Sequence, residues 1–166
     1  PGPDTEIVEG LRFHRTAPIA AARPPLREWR EIGALASAIT ALARDWRPDI
    51  LHAHSPVLNA MAALRAGRQL GIPVLYEIRA FWEDAAVGNG TGHERSARYF
   101  LTRSLETHAV KSADAVAVIC EGLRGDLIAR GIDPGKIIVS PNGVDLDLFG
   151  SPPPRDTALA ADLGLA

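Results

Sequence analysis

Hydrophobic positions along the chain follow two alternating spacings. Three- and four-residue spacings, as at Trp29, Ile32 and Leu35, predict amphipathic helices, whereas short apolar runs bounded by proline, glycine or polar residues predict strands. The helices are predicted over 26–46, 58–69, 94–112 and 121–130. The strands are predicted over 49–54, 73–78, 115–119 and 136–140, with two short extended pieces near a sheet edge within 6–15. Strand and helix therefore alternate along most of the chain.

This alternation, with short connections, is typical of right-handed βαβ crossovers. The run at 115–119 is nearly unbroken in apolar residues, which is typical of a strand buried on both faces of a parallel sheet. We therefore expect an α/β fold with a Rossmann-like, doubly wound and mostly parallel sheet. A loop containing Gly88, Gly90 and Gly92 is expected after the strand at 73–78.

The composition narrows the class of protein. Of 166 residues, 46% are hydrophobic, which fits one domain with a substantial core. The formal net charge is −2 with both signs interleaved, so nucleic acid is not expected as a partner. The single cysteine, Cys120, allows no internal disulfide and favours the cytoplasm. No apolar stretch approaches the roughly 20 residues of a membrane-spanning helix. Because neither end carries start or tail chemistry, we expect a fragment.

Ligands of open α/β sheets bind beyond the carboxyl ends of the strands. In this sequence those ends carry polar or aromatic residues at 54–55, 79–84, 120–121 and 142–145. We therefore expect the functional site to be assembled from these four segments.

The clearest resemblance to a known family lies in the last third of the chain. It is carried by ADAVAVICEGL at 113–123, GI at 131–132, KIIV at 136–139 and PNGVD at 141–145. These segments resemble the end of the N-terminal domain of family-4 retaining glycosyltransferases, which have the GT-B fold. Two further segments, HAHSP at 52–56 and YEIRAFWED at 76–84, are similar to the branch of that family associated with exosortase-type exopolysaccharide clusters.

The resemblance implies a division of the chain. Residues 1–150 would be a partial acceptor-side Rossmann-like domain whose first strand and glycine-rich loop precede Pro1. Residues 151–166 would be the interdomain linker and the start of the donor-binding domain, which holds the nucleotide-sugar through two glutamates eight positions apart. The fragment itself would then be inactive. It would take part in moving a hexose to a growing polysaccharide or to a glycan carried on polyprenyl phosphate. No cofactor is implied, and peripheral contact with the inner face of the membrane would come from segments outside this chain.

Three residues are candidates for catalysis. In the family, transfer is thought to proceed by same-face attack of the acceptor hydroxyl as the nucleotide diphosphate leaves, so orientation and charge stabilisation matter most. Arg79 could bind a phosphate or carboxylate in a forked geometry, or it could be a salt-bridged arginine at a strand end. Many relatives have histidine near this position, and its role is not transferred to Arg79. Glu83 and Asp84 could accept a hydrogen bond from the attacking hydroxyl, or they could be solvated loop charges.

Four residues are candidates for binding the acceptor. Phe81 and Trp82 could stack on a pyranose ring or simply pack, and His54 with Ser55 could contact the acceptor or be structural. Because His52 and His54 alternate along a strand, they share a face and could hint at a metal pair. No further cysteine or histidine cluster lies nearby, so no metal is expected.

Glu121, Asn142, Gly143 and Asp145 are expected near the nucleotide or the domain interface, as contacts or as hinge structure. Asn142-Gly143 also suits a tight turn with positive φ. The helix at 94–112 carries basic residues that could meet a polyprenyl phosphate, although Glu94 and Glu106 interrupt them. Two other functions stay open: half of a nucleotide-sugar epimerase on the same scaffold, and a non-catalytic Rossmann-like binding module.

Overall fold

A computed structural model describes residues 5–17, 23–94, 96–151 and 153–164. The strands are β1 Thr5–Val8, β2 Leu11–His14, β3 Leu51–His54, β4 Val74–Ile78, β5 Ala115–Val118 and β6 Ile137–Val139. The helices are α1 Leu26–Trp46, α2 Val57–Leu70, α3 Trp82–Gly88, α4 Ala97–Ser112, α5 Glu121–Ala129, α6 Leu146–Phe149 and α7 Thr157–Asp162. A 3₁₀ turn at Pro134–Lys136 precedes β6.

The central sheet has four parallel strands in the order β3-β4-β5-β6. Its register places His54 beside Glu77, and Ile78 beside Val118. The α/β fold with a parallel sheet is therefore confirmed. A doubly wound sheet contains a point where the order of its strands reverses. The four strands here lie side by side in chain order and include no such point. The doubly wound part of the expectation stays a prediction.

One face of this sheet forms the core. Ala53, Tyr76 and Val116 point into a buried cluster with side chains from α2, α4 and α5. The opposite face is more open among the described residues: His52, His54 and Ile138 are exposed, although Leu75 and Ala117 between them are not. The expected burial on both faces thus holds at β5, in the middle of the sheet.

Local sequence rules explain the helix ends. Helix α1 spans the predicted range, and α2 ends where Gly71 adopts a left-handed conformation with φ 71° and donates its N–H to the Gly67 carbonyl. Ser96 caps α4 by accepting a hydrogen bond from the backbone N–H of Tyr99. Gly71 thus ends the helix that connects β3 to β4, and Ser96 begins the longer helix that connects β4 to β5.

Three parts of the structure differ from the sequence prediction. The pieces at β1 and β2 pair with each other as a separate antiparallel sheet. The segment at 82–88, predicted as a loop, is helix α3, because Phe81 and Glu83 are buried and fix its start in the protein interior. The short helices α6 and α7 were not predicted; each begins with an aspartate that caps it. Among the described residues, no helix is both long and apolar enough to cross a membrane.

Candidate functional site

Arg79 connects the carboxyl ends of three strands. Its backbone N–H donates to Ser55 Oγ at 3.4 Å, after β3, and its guanidinium donates to Asn142 Oδ1 at 3.3 Å, after β6. The guanidinium Nε also lies 3.3 Å from Oε1 of Glu77 on β4. The side chain is nevertheless 59% exposed, so the guanidinium stays available to a ligand. The structure thus brings together Arg79, Ser55 and Asn142, which belong to three of the four segments expected at the carboxyl edge.

Two histidines share a carboxylate beside this arginine. Glu77 Oε2 lies 3.1 Å from His52 Nε2 and 3.4 Å from His54 Nδ1. The two imidazole rings lie 4.3 Å apart between centroids. Asn59, on the first turn of α2, donates a hydrogen bond to the His54 carbonyl. His54 therefore lies in a polar cluster whose central residue is Glu77.

Trp82 and Asp84 are displayed at the start of α3. Trp82 is 52% exposed, which leaves part of its ring accessible to a ligand. Asp84 accepts a hydrogen bond of 2.8 Å from the Tyr99 hydroxyl on α4. This hydrogen bond raises the pKa of Tyr99 above its ordinary value, because the carboxylate favours the protonated phenol. Tyr99 thereby restrains the Asp84 side chain.

The side chains of Phe81 and Glu83 are placed differently from the sequence expectation. Both are buried, and Glu83 Oε1 accepts a hydrogen bond of 2.8 Å from Arg130 at the end of α5. The Arg130 guanidinium also lies over the Phe81 ring, 3.8 Å from its centroid. The interpretation of Glu83 as a solvated loop charge is wrong, and Phe81 presents no free face for sugar stacking, because both side chains are used to anchor α3.

A second buried pair lies in the core between β4 and α4. The Tyr76 hydroxyl donates to Glu106 Oε1 at 2.6 Å, and both side chains are fully buried. Burial raises the pKa of Glu106 to about 7, opposed by the hydrogen bond from Tyr76. The expectation that Glu106 interrupts the basic surface of α4 is wrong, because the helix turns this carboxyl into the core.

The residues expected near the nucleotide have distinct positions. Glu121 is exposed at the start of α5, with Arg124 3.6 Å away. The Asp145 carboxylate accepts hydrogen bonds from two backbone N–H groups and so caps α6. Neither Asn142 nor Gly143 has a positive φ, so the predicted left-handed turn there is wrong. Of this group, Asn142 is the residue that the described contacts join to Arg79.

Sequence reasoning missed three residues of the site: Glu77, Tyr99 and Arg130. Glu77 alternates with the buried Tyr76 and Ile78 on β4, so the strand pattern could have placed it on the same face as the histidines. For Tyr99 and Arg130, no comparable pattern in the sequence indicates that they contact this region. Arg130 contacts Glu83 across 47 positions of sequence.

Comparison with known proteins identifies the relatives of this chain. The profile of a family described as glycosyl transferase 4-like domain matches residues 1–143. A D-inositol 3-phosphate glycosyltransferase from Kineococcus radiotolerans is 31% identical over 120 residues, which are 70% of this chain and 26% of the relative. The chain thus spans about a quarter of that relative's length.

Solved structures show the same fold. A protein assigned as UDP-N-acetylglucosamine 2-epimerase from Listeria monocytogenes matches 75% of this chain and 29% of its own, with a TM-score of 0.53 and 15% identity. The UDP-GlcNAc 2-epimerase of Neisseria meningitidis, solved with UDP-GlcNAc, matches 71% of this chain and 29% of its own, with a TM-score of 0.50 and 18% identity. At these identities the likeness concerns the fold: an α/β domain similar to those of GT-B-like epimerases and glycosyltransferases.

Proposed function

Because the chain belongs to the glycosyl transferase 4-like domain family, we propose that it is the acceptor-side domain of a retaining glycosyltransferase. The enzyme would move a hexose from a nucleotide-sugar to a growing polysaccharide or a lipid-linked glycan. The similarity of HAHSP and YEIRAFWED to the exopolysaccharide branch favours a polysaccharide product, and a polyprenyl phosphate is the proposed lipid carrier.

The Arg79 network is the observation that most supports this proposal. Retaining transfer needs a fixed positive charge where the nucleotide diphosphate leaves and where the acceptor hydroxyl attacks the same face of the sugar. The guanidinium of Arg79 is held by Glu77 and Asn142 at the carboxyl edge of the sheet, and its exposed side can bind phosphate oxygens. The proton of the attacking hydroxyl would pass to the departing diphosphate oxygen.

The acceptor would bind beside Arg79. Trp82 offers an exposed ring for one face of a pyranose, and Asp84, oriented by Tyr99, offers a carboxylate for sugar hydroxyl groups. Ser55, at the end of β3, accepts a hydrogen bond from the Arg79 backbone N–H, and His54 precedes it in the chain. Glu83 would not touch the substrate. Its buried ion pair with Arg130 would hold α3, and with it Trp82 and Asp84, in place.

The proposed division of the chain is an acceptor-side domain at 1–150 and a linker into a donor-binding domain at 151–166. We expect the rest of the enzyme to hold the nucleotide-sugar, with Glu121, Asn142, Gly143 and Asp145 near the interdomain cleft. The 26% coverage of the glycosyltransferase relative favours this division. The 166-residue chain alone is then expected to give no turnover.

The test is nucleotide release. The complete enzyme is incubated with a panel of nucleotide-sugars and with glycan or polyprenyl-phosphate-linked acceptors, and the released nucleoside diphosphate is measured. Proton NMR of the product then reports the anomeric configuration, which should match that of the donor. Absence of acceptor-dependent release across the panel would refute the transferase function, and an inverted product would refute retention alone.

Substitution of Arg79 tests its role in the same assay. Loss of one charged hydrogen-bonding contact is worth roughly 1.5–3 kcal/mol, so Arg79→Ala should lower kcat/KM by more than about tenfold. Arg44→Ala, on the exposed last turn of α1, is the matched control and should leave activity unchanged. Near-normal activity of a folded Arg79→Ala protein would assign Arg79 a structural role only.

A further inference from the structure

The cluster formed by His52, His54 and Glu77 combines ligand groups that metal ions prefer. One ligand atom from each of these residues lies within 4.8 Å of the other two. Both histidines are on β3, two positions apart, and Glu77 occupies the register position beside His54 on β4. The three side chains therefore project from the same face of the sheet, away from the core.

The spacing of the donor atoms fits a small metal ion. In a tetrahedral zinc site with bonds of about 2.0–2.1 Å, adjacent ligand atoms are separated by about 3.3 Å. Glu77 Oε2 lies 3.1 Å from His52 Nε2 and 3.4 Å from His54 Nδ1. The ligand atoms of the two histidines lie within 4.8 Å of each other, so side-chain movements that bring these two atoms closer would let all three face one ion.

The second oxygen of Glu77 has a separate partner. Oε1 lies 3.3 Å from Arg79 Nε, whereas Oε2 faces the histidines. Carboxylates that bind a metal are commonly oriented by such a partner on the other oxygen. Arg79 therefore orients Glu77 without occupying the oxygen that faces the two imidazoles. The positive charge of Arg79 also partly cancels the negative charge of Glu77. Metal affinity is therefore lower than at a site whose carboxylate has no cationic partner.

We propose that His52, His54 and Glu77 bind one divalent transition-metal ion, and that Zn²⁺ is the fitting ion. Two imidazoles and one carboxylate are a ligand set of zinc sites that keep a fourth position for water. The histidine side chains are 42% and 54% exposed, so water can reach that fourth position. Mg²⁺ and Ca²⁺ prefer oxygen ligands and are expected to bind poorly. The proposal concerns binding and does not depend on the transferase function.

The experiment measures binding of the metal alone. The purified protein is freed of metal with a chelator and titrated with Zn²⁺ by calorimetry, and with Co²⁺ by visible absorption. We expect one ion per chain, a Co²⁺ spectrum of four-coordinate type that Zn²⁺ abolishes, and no competition from excess Mg²⁺. Absence of saturable binding at one ion per chain would overturn the proposal.

Variants locate the site. Changing a residue that only orients a metal ligand typically costs about 10- to 100-fold in metal affinity. His52→Ala and Glu77→Gln each change a ligand itself, so each should weaken Zn²⁺ binding at least as much. His93→Ala, in the loop after α3, is the matched control and should bind as the wild type does. Unchanged affinity in both cluster variants would place the ion elsewhere and refute the site.

Circular dichroism distinguishes loss of the site from loss of the fold. Zn²⁺ should raise the melting temperature of the wild type and of the His93→Ala variant, since an ion that binds only the folded state stabilises it. It should leave the melting temperatures of folded His52→Ala and Glu77→Gln proteins unchanged. An equal rise in these two variants would also refute the site. None of these measurements uses a nucleotide-sugar, so failure of the transferase assay leaves the result interpretable.

Discussion

Replacement of Glu106 by glutamine should change how the stability of the protein depends on pH. Glu106 is fully buried on α4 and accepts a hydrogen bond of 2.6 Å from the Tyr76 hydroxyl. Its second carboxyl oxygen is buried without a hydrogen-bond partner. Glutamine keeps the size of the side chain and an acceptor oxygen for Tyr76, but it cannot ionise. The substitution therefore isolates the effect of a buried charge.

The magnitude follows from the pKa. Burial raises the pKa of Glu106 from its ordinary value of 4.5 to about 7. A difference of this size corresponds to about 3 kcal/mol, since one pKa unit is worth about 1.4 kcal/mol. The folded state binds the proton more tightly than the unfolded state. The contribution to stability is thus fully present below the unfolded pKa and is lost as the pH rises through the folded pKa.

The assay compares variants by urea denaturation, followed by tryptophan fluorescence, at several pH values between about 5 and 8. The unfolding free energy of Glu106→Gln, relative to wild type, should increase with pH by up to about 3 kcal/mol. Glu94→Gln, at an exposed position, is the matched control and should show no comparable trend. A stability difference between Glu106→Gln and wild type that is constant over this range would refute the reasoning.

Three further substitutions test the packing that positions the site. Gly67→Ala places a methyl group 2.6 Å from a carbonyl oxygen of the following loop. Thermal denaturation should therefore show a loss of about 1–3 kcal/mol in the free energy of unfolding. Gly88→Ala is the control, because its methyl group would meet open space, and it should not be destabilised. Arg130→Met leaves Glu83 buried without its partner and should cost about 3–5 kcal/mol, part of which Glu83→Gln in the same chain should restore; no restoration would contradict the ion-pair account. Ser96→Ala removes the cap of α4 and should cost about 1 kcal/mol in urea denaturation, and an unchanged midpoint would show that the cap is dispensable.

The outcome for α3 shows where sequence reasoning fails. Glycines at 88, 90 and 92 predict a loop, and the sequence gives Glu83 and Asp84 the same two alternatives, acceptors for the attacking hydroxyl or solvated loop charges. In the structure the two carboxylates have opposite surroundings: Glu83 is buried against Arg130, and Asp84 is exposed beside Tyr99. Adjacent residues on a helix face different directions, so neighbours in sequence need not share a role.

The sequence by itself determined the alternation of the four sheet strands with α1, α2, α4 and α5, the parallel α/β class and the segments at the carboxyl ends of the strands. These features depend on residue spacing and on local punctuation such as Gly71 and Ser96, which act within a few positions of the chain. It also placed His52 and His54 on one face, because strand side chains alternate.

Only the tertiary structure decided which side chains meet. Glu77 joins the histidines because the register of β3 and β4 places it beside His54. Arg79 reaches Asn142 across 63 positions of sequence, and Arg130 reaches Glu83 across 47. Crossover lengths, strand register and helix packing set such pairings, and none of these is encoded in the residues next to the site. The sequence therefore indicated the edge of the sheet where the candidate site lies, and packing decided which side chains meet there.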